Sequence, residues 1–160
     1  MFSLNLPSFV PKISEKNGKH LILDPIRKKY VTLTPEEWVR QHFVNYLITE
    51  KGYPKELIAN EISIVLNGTN KRCDTVAYNR FLAPVFIAEY KSPTVAIKQS
   101  VIDQIIRYNM VLKVRYLVVS NGMQHFCCRI DFETGNYTYL NEIPMYDSII
   151  ETTFILYPLT

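Results

Sequence analysis

The stretch Pro84-Val85-Phe86-Ile87-Ala88-Glu89-Tyr90-Lys91 constrains this chain more than any other. It is a nearly continuous apolar run, Pro84 to Ala88 being apolar throughout, of the kind found in strands buried on both faces. Glu89 and Lys91 follow directly in the same run. Side chains two apart on a strand project to one side, so the acid and the base emerge together while Tyr90 points away.

The neighbouring segments supply the rest of the sheet and its layers. Residues 61–66 and 72–78 are rich in strand-forming residues and are separated by Asn67-Gly68, so with the Pro84 strand they predict an antiparallel three-stranded meander. From about Lys98 to Lys113, Val101, Ile102, Ile105, Tyr108 and Leu112 keep helical spacing. Tyr116-Leu117-Val118-Val119-Ser120 is a short apolar strand that such a crossover helix would set parallel to the third meander strand. Residues 124–132 and 136–140 predict a closing hairpin across Glu133-Thr134-Gly135.

Toward the start, residues 9–33 alternate apolar and polar around Asn17-Gly18, which predicts a β-hairpin leading into Tyr30-Val31-Thr32-Leu33. Thr34-Pro35-Glu36-Glu37 then opens a helix with a capping hydroxyl, a proline at the first helical position and a glutamate three residues after the cap. Trp38, Val39, Phe43, Tyr46 and Leu47 give it an apolar face, and Gly52 marks its end. These elements predict a single α/β domain over residues 1–160. An N-terminal β extension (1–33) precedes a core (34–140) of mixed sheet flanked by helices, and a weakly patterned tail (141–160) follows.

Composition excludes more than it identifies. The 18 Lys and Arg exceed the 15 Asp and Glu by only +3, too little to argue nucleic-acid binding from bulk charge. Any basic footprint has to be local, as at Arg27-Lys28-Lys29, Lys71-Arg72 or Lys91, Lys98 and Arg107. Cys73, Cys127 and Cys128 form no C-x-x-C pair, so neither a zinc knuckle nor a disulfide framework is expected, and a reducing cytoplasm suits them. No segment approaches the ~18 apolar residues that span a bilayer, and the first residues lack a signal peptide's basic start and apolar run. His20, His42 and His125 show no metal-ligand spacing. With no Gly-rich phosphate loop and no nucleophile elbow, ATPase and acyl-hydrolase chemistry have no support, and no nucleotide cofactor is expected.

The chemistry therefore rests on the charged end of the Pro84 strand. A lone Glu-x-Lys at a strand end is most often a solvent-facing ion pair worth under ~1 kcal/mol. Here the preceding strand carries Asp74, and hairpin pairing would bring its carboxylate beside Glu89. Two adjacent carboxylates repel unless a cation lies between them, and hard oxygen ligands with room for water and phosphate suit Mg²⁺, for which Mn²⁺ can substitute. Asp74 and Glu89 would hold the metal, which polarises a phosphate and lowers the pKa of a bound water, while Lys91 orients that water or steadies developing charge.

Further residues follow from this placement. Gln104 and Tyr108, four apart on the second helix, could reach the site or a nucleic-acid backbone, although Tyr108 equally fits the core. Glu37 is already explained by a capping box, yet from the first helix it could face the site as a metal or water ligand. Arg40, one turn later, could meet a phosphate or pair with Glu37. Arg72 and Arg107 are further phosphate candidates, and Glu61 is an acidic candidate akin to Glu37.

The residues Thr34-Pro35-Glu36-Glu37-Trp38-Val39-Arg40-Gln41, Lys71-Arg72-Cys73-Asp74, Glu89-Tyr90-Lys91, Gln104-Ile105-Ile106-Arg107-Tyr108-Asn109 and Val118-Val119-Ser120-Asn121-Gly122 together resemble the N-terminal nuclease domain of type I restriction enzyme R subunits, in the PD-(D/E)xK superfamily. The resemblance covers roughly residues 6–140. It implies a restriction-endonuclease-like αβββαβ core, with Asp74, Glu89 and Lys91 as catalytic triplet, Mg²⁺ as cofactor and DNA as substrate. Gln104 and Tyr108 match a further motif of those nucleases linked to DNA contact and cleavage, and Glu37 falls where the family shows an acidic residue on the first helix. Cys73 stands where a proline is usual before the motif aspartate. R subunits continue into a helicase motor that these 160 residues do not include, so ATP-driven translocation does not carry over. The triplet chemistry does not discriminate DNA from RNA or branched substrates. Many restriction-like folds act as homodimers that cut both strands, an arrangement open to this chain. The competing reading is a non-cleaving module that keeps the fold to bind nucleic acid or dock a partner.

Overall fold

A computed structural model of the protein describes residues 2–66 and 68–150. Alternating apolar residues fold the beginning of the chain into an antiparallel sheet of β1 (Ile13–Lys16), β2 (Lys19–Asp24) and β3 (Lys29–Thr32). Asn17 (φ 51°) and Gly18 (φ 72°) form the tight turn between β1 and β2, the left-handed pair that a type I′ hairpin requires.

Helix α1 (Pro35–Thr49) begins as its sequence demands, with the Thr34 hydroxyl accepting the Glu37 N–H at 3.0 Å and Pro35 in the first turn. The reciprocal half of the capping box does not form. The Thr34 N–H goes to the Thr32 carbonyl instead, and the Glu37 side chain is left for partners elsewhere.

The main sheet has six strands in chain order: β4 (Ile58–Leu66), β5 (Thr69–Tyr78), β6 (Pro84–Tyr90), β7 (Tyr116–Ser120), β8 (His125–Ile130) and β9 (Tyr137–Leu140). Every neighbouring pair is antiparallel except β6 and β7, which α2 (Gln99–Leu112) joins in parallel, the expected crossover. β4 starts earlier than the sequence pattern suggests, because Ile58 and Ala59 already pair with Ala77 and Val76.

Each face of the sheet is covered by one helix, as the apolar run Pro84 to Ala88 of β6 requires. On one side Val39, Phe43, Val44 and Leu47 of α1 pack on Phe86, Ala88, Tyr90, Tyr116 and Val118. On the other, Ile102, Ile106 and Leu112 of α2 pack on Val76, Ile87, Leu117 and Cys128. Cys127 and Cys128 point to opposite layers and are buried, which pushes their thiols up to about 12 and about 11, so they pack rather than react. The segment after β9 contributes more than its weak patterning suggests, since Ile143, Tyr146 and Ile149 complete the α1-side cluster and residues 146–150 are helical. Among the described residues no helix is long and apolar enough to cross a membrane.

The β4–β5 hairpin turns over partway along its length. Ile58 and Ala77 pack in the α1 layer, whereas Ile62, Ile64 and Cys73, at positions of the same strand parity, pack in the α2 layer. The turnover lies at Glu61, a non-glycine residue with φ 52°. Pairing is kept on both sides of it, with Asn60 opposite Thr75 and Ile62 opposite Cys73, so Glu61 and Asp74 face each other there. A left-handed residue inside a strand rotates the pleat, and this rotation sets up the site.

Candidate active site

The β5–β6 ladder runs in constant register through Ala77–Phe86, Val76–Ile87 and Thr75–Ala88, which carried one step further sets Asp74 opposite Glu89. Residues so opposed have Cβ atoms about 5 Å apart. Regular pairing stops at this step. The Tyr90 N–H donates to Asp74 Oδ2 at 2.8 Å, so a carboxylate takes the donor at the point where the strands part. Glu89 leaves the sheet on the side of Ile87, toward the α2 layer. Burial pushes its carboxyl above the ordinary range; Lys71 opposes the shift, the nearby charge of Asp74 adds to it, and Lys91 pulls weakly the other way. Lys91 is half-buried, its main-chain N–H bound to the Ser120 carbonyl at 2.9 Å. Asp74, Glu89 and Lys91 thus share one end of the sheet.

Around them lies an ion-pair network that the sequence shows only in fragments. Arg40 is its hub. Its side chain is 5% exposed, and the guanidinium reaches Glu37 at 2.9 Å, Glu61 and, more loosely, Asp74 at 3.4 Å, and lies over the Tyr90 ring at 5.8 Å. Glu37 also accepts from Arg27 and from the Gln41 amide, each at 2.8 Å. Glu61 accepts from Arg72 on the outer side. Of the two roles open to Arg40, meeting a phosphate or pairing with Glu37, the structure shows the second. A guanidinium buried among three carboxylates organises acids and is badly placed for a nucleic-acid backbone.

A second, drier chain of contacts backs this network. Asp24, fully buried, accepts from Arg27 and from Asn60 Nδ2 at 3.0 Å. Asn60 Oδ1 accepts from Thr75 at 2.7 Å, and Thr75 Oγ1 accepts from the Tyr90 hydroxyl at 3.0 Å. Burial works upward on both Asp24 and Glu61. For Asp24 the hydrogen bonds and charge of Arg27 with the Asn60 hydrogen bond, and for Glu61 the hydrogen bonds and charge of Arg72 and Arg40, outweigh it and hold both carboxyls below their ordinary range. Thr75 and Tyr90 read as strand residues in sequence and Asn60 falls just before a predicted strand, and nothing in their spacing announces a polar relay.

Lys71 is the other residue that sequence spacing did not single out for the site. Its ammonium lies 2.7 Å from Glu89 Oε1, with both side chains about five-sixths buried (15% and 16% exposed). On a regular strand, Lys71 and Asp74, three apart, would point to opposite faces. The turnover at Glu61 puts Lys71 with Cys73 on the α2 side, where Glu89 emerges.

The remaining candidates sit on α2 and at the outer side of Glu61. Gln104 and Tyr108 line an open groove on α2 with Ser100 and Arg107, and Tyr108 is 51% exposed, which removes the core reading for it. Arg107 is exposed there, its side chain bonded to the Asp103 carbonyl at 3.3 Å. Among the described residues neither Gln104 nor Tyr108 has a hydrogen bond to Asp74, Glu89 or Lys91. Arg72 is exposed beside Glu61.

Four carboxylates, Asp24, Glu37, Glu61 and Asp74, share the three guanidiniums of Arg27, Arg40 and Arg72, and Glu89 has Lys71. No three His, Cys, Asp or Glu side chains among the described residues form a ready metal cage. Asp74 and Glu89 offer a pair of hard oxygen donors instead, a set that suits a cation keeping much of its water. The buried Glu89 Oε1 is met by the Lys71 ammonium at 2.7 Å.

Residues 35–144 match the family model for the type I restriction enzyme R protein N terminus (HSDR_N). Comparison with curated proteins gives no match. Among solved structures, a fragment described as an HsdR subunit of a type I restriction enzyme from Vibrio vulnificus YJ016 is similar in fold, with a TM-score of 0.54 and 20% identity over 76% of this chain and 25% of that one. The chain thus spans about a quarter of that solved chain. The family match runs from the first turn of α1 to the segment after β9, and includes Glu37, Arg40, Asp74, Glu89 and Lys91. The chain belongs to the type I restriction enzyme R protein N terminus family.

Proposed function

We propose that this domain is a Mg²⁺-dependent nuclease that hydrolyses phosphodiester bonds in DNA, built on a restriction-endonuclease-like core. The observation that carries the reading is the register of β5 and β6, which opposes Asp74 to Glu89 where the strands part, with Lys91 two residues beyond. Family membership adds the restriction context.

Asp74 and Glu89 are the residues that would hold the metal. Bound there, Mg²⁺ supplies Lewis-acid polarisation of a phosphate and a water of lowered pKa. Asp74 is held for this role from two sides, by the Tyr90 N–H and by Arg40, so its carboxylate enters the site already oriented. Lys91 supplies a positive charge for the attacking water or for the pentavalent phosphorus. Glu37, spent on Arg27, Arg40 and Gln41, acts through Arg40 as a positioning residue. Gln104, Tyr108 and Arg107 on α2, with exposed Arg72, provide aromatic, amide and guanidinium groups for the DNA backbone.

The test incubates the purified protein and its Asp74→Asn variant with supercoiled plasmid and with oligonucleotides in Mg²⁺ or Mn²⁺. Wild type should nick or linearise DNA, and Asp74→Asn should lose about 100-fold or more. Binding without any Asp74-dependent cleavage would favour the module that docks nucleic acid or a partner without cutting it. Each carboxylate's engagement by its own cation, Arg40 or Lys71, is the feature on which that second reading draws.

A further inference from the structure

The two carboxylates of the site are neutralised by very different cations. Arg40 is buried, planar and fixed by three acids, so it stays where it is. Lys71 ends in a compact ammonium on a flexible four-carbon stem, and it meets one oxygen of Glu89 alone. The contact is a single one, one ammonium against one carboxylate oxygen at 2.7 Å.

That oxygen also belongs to the carboxylate offered to the metal. An ammonium in contact with Glu89 Oε1 and a divalent cation between Glu89 and Asp74 would stand at contact distance from one another, and like charges that close repel strongly in a half-buried site. The two are alternatives. The Lys71 side chain is itself 15% exposed, so its flexible stem has a route to solvent when the ammonium leaves Glu89.

We infer that Lys71 is an internal counter-ion of Glu89 that exchanges with the catalytic divalent cation: it holds the carboxylate until metal arrives, lowers metal affinity by competing for the same oxygen, and is released when metal binds. The inference rests on the metal-dependent reading above and adds a regulating residue to it. Lys71 acts through Glu89 and is therefore a positioning residue.

Two measurements on the full chain test it without turnover. In calorimetric titration with MnCl₂, Lys71→Met and Lys71→Gln should each bind Mn²⁺ about tenfold tighter than wild type, the scale of a typical coupling between two competing ligands. Amine acylation read by mass spectrometry should modify Lys71 of wild type faster in Mg²⁺ than in its absence, with exposed Lys16 as internal reference. A lysine that serves only structure would leave Mn²⁺ affinity equal or weaker on removal and its own reactivity indifferent to Mg²⁺, and either result overturns the exchange. Use of two substitutions, with circular dichroism on each, separates a failure to fold from a failure of the idea. If wild type binds Mn²⁺ and Asp74→Asn does not, the metal site stands and only the role of Lys71 is at stake. If wild type binds no Mn²⁺, the metal-dependent reading itself fails, and the exchange with it.

Discussion

Replacing Arg40 with Met isolates the centre of the ion-pair network while keeping most of the aliphatic volume. Arg40 touches Glu37, Glu61 and Asp74 and is almost fully buried. Removing one partner of a buried pair generally costs about 3–5 kcal/mol, because the remaining charge is left uncompensated. Each acid here keeps a second donor: Glu37 keeps Arg27 and Gln41, Glu61 keeps Arg72, and Asp74 keeps the Tyr90 N–H. The lower end, about 3 kcal/mol, is therefore expected. For a chain of this size that corresponds to a fall in Tm of about 6–12 °C. Urea and thermal unfolding followed by circular dichroism would measure it, with exposed Arg72→Met as the control at under about 1 kcal/mol. Neutralising a stranded acid in Arg40→Met/Glu37→Gln should recover part of the loss. An Arg40→Met protein within about 0.5 kcal/mol of wild type would refute the view that this guanidinium holds the acids together.

Other substitutions probe separate features. Thr34→Ala removes the hydroxyl that caps α1 and should cost about 1 kcal/mol in chemical unfolding. Gly122→Ala forces a Cβ to within 2.7 Å of Leu4 and 3.1 Å of Val39 at φ +81°, so it should cost more than about 1 kcal/mol and speed proteolysis of the N-terminal segment. The Asp24 and Glu61 carboxyls lie below their ordinary values of 3.8 and 4.5, so their contribution is complete above those values and is lost as pH falls through them. Urea midpoints measured from pH 7 to pH 3 should decline below about pH 4.5, and Glu61→Gln should flatten part of that decline.

The strand order around the candidate site was legible because its signals are local. The apolar run of β6, the Asn-Gly turns and the helical spacing before β7 each act within a few residues, and together they place β6 between β5 and β7. The juxtaposition of Asp74 and Glu89 followed from hairpin pairing alone. The fate of Glu37 did not, because a capping box and an ion pair with Arg40 make identical demands on sequence, and only packing against β2 and β4 brings Arg27 and Glu61 within reach. Lys71 was hidden for a geometric reason. Its spacing from Asp74 implies opposite faces, and the rotation at Glu61 reverses that implication. The contribution of Ile143, Tyr146 and Ile149 was hidden by length, since three apolar positions in a short segment do not establish a period.

Since register is preserved across Glu61, the distal part of the β4–β5 hairpin is an arm that can vary in length independently of the chemistry. Two residues added to each strand near Gly68 would lengthen the arm by a further set of paired rungs and leave Asp74 opposite Glu89. A single residue inserted between Asp74 and Glu89 would slip one strand against the other and send the two carboxylates to opposite layers. Paired insertions at the hairpin tip are thus tolerable, whereas a shift between Asp74 and Glu89 is destructive, which makes the tip the natural place to graft a new binding loop onto this domain.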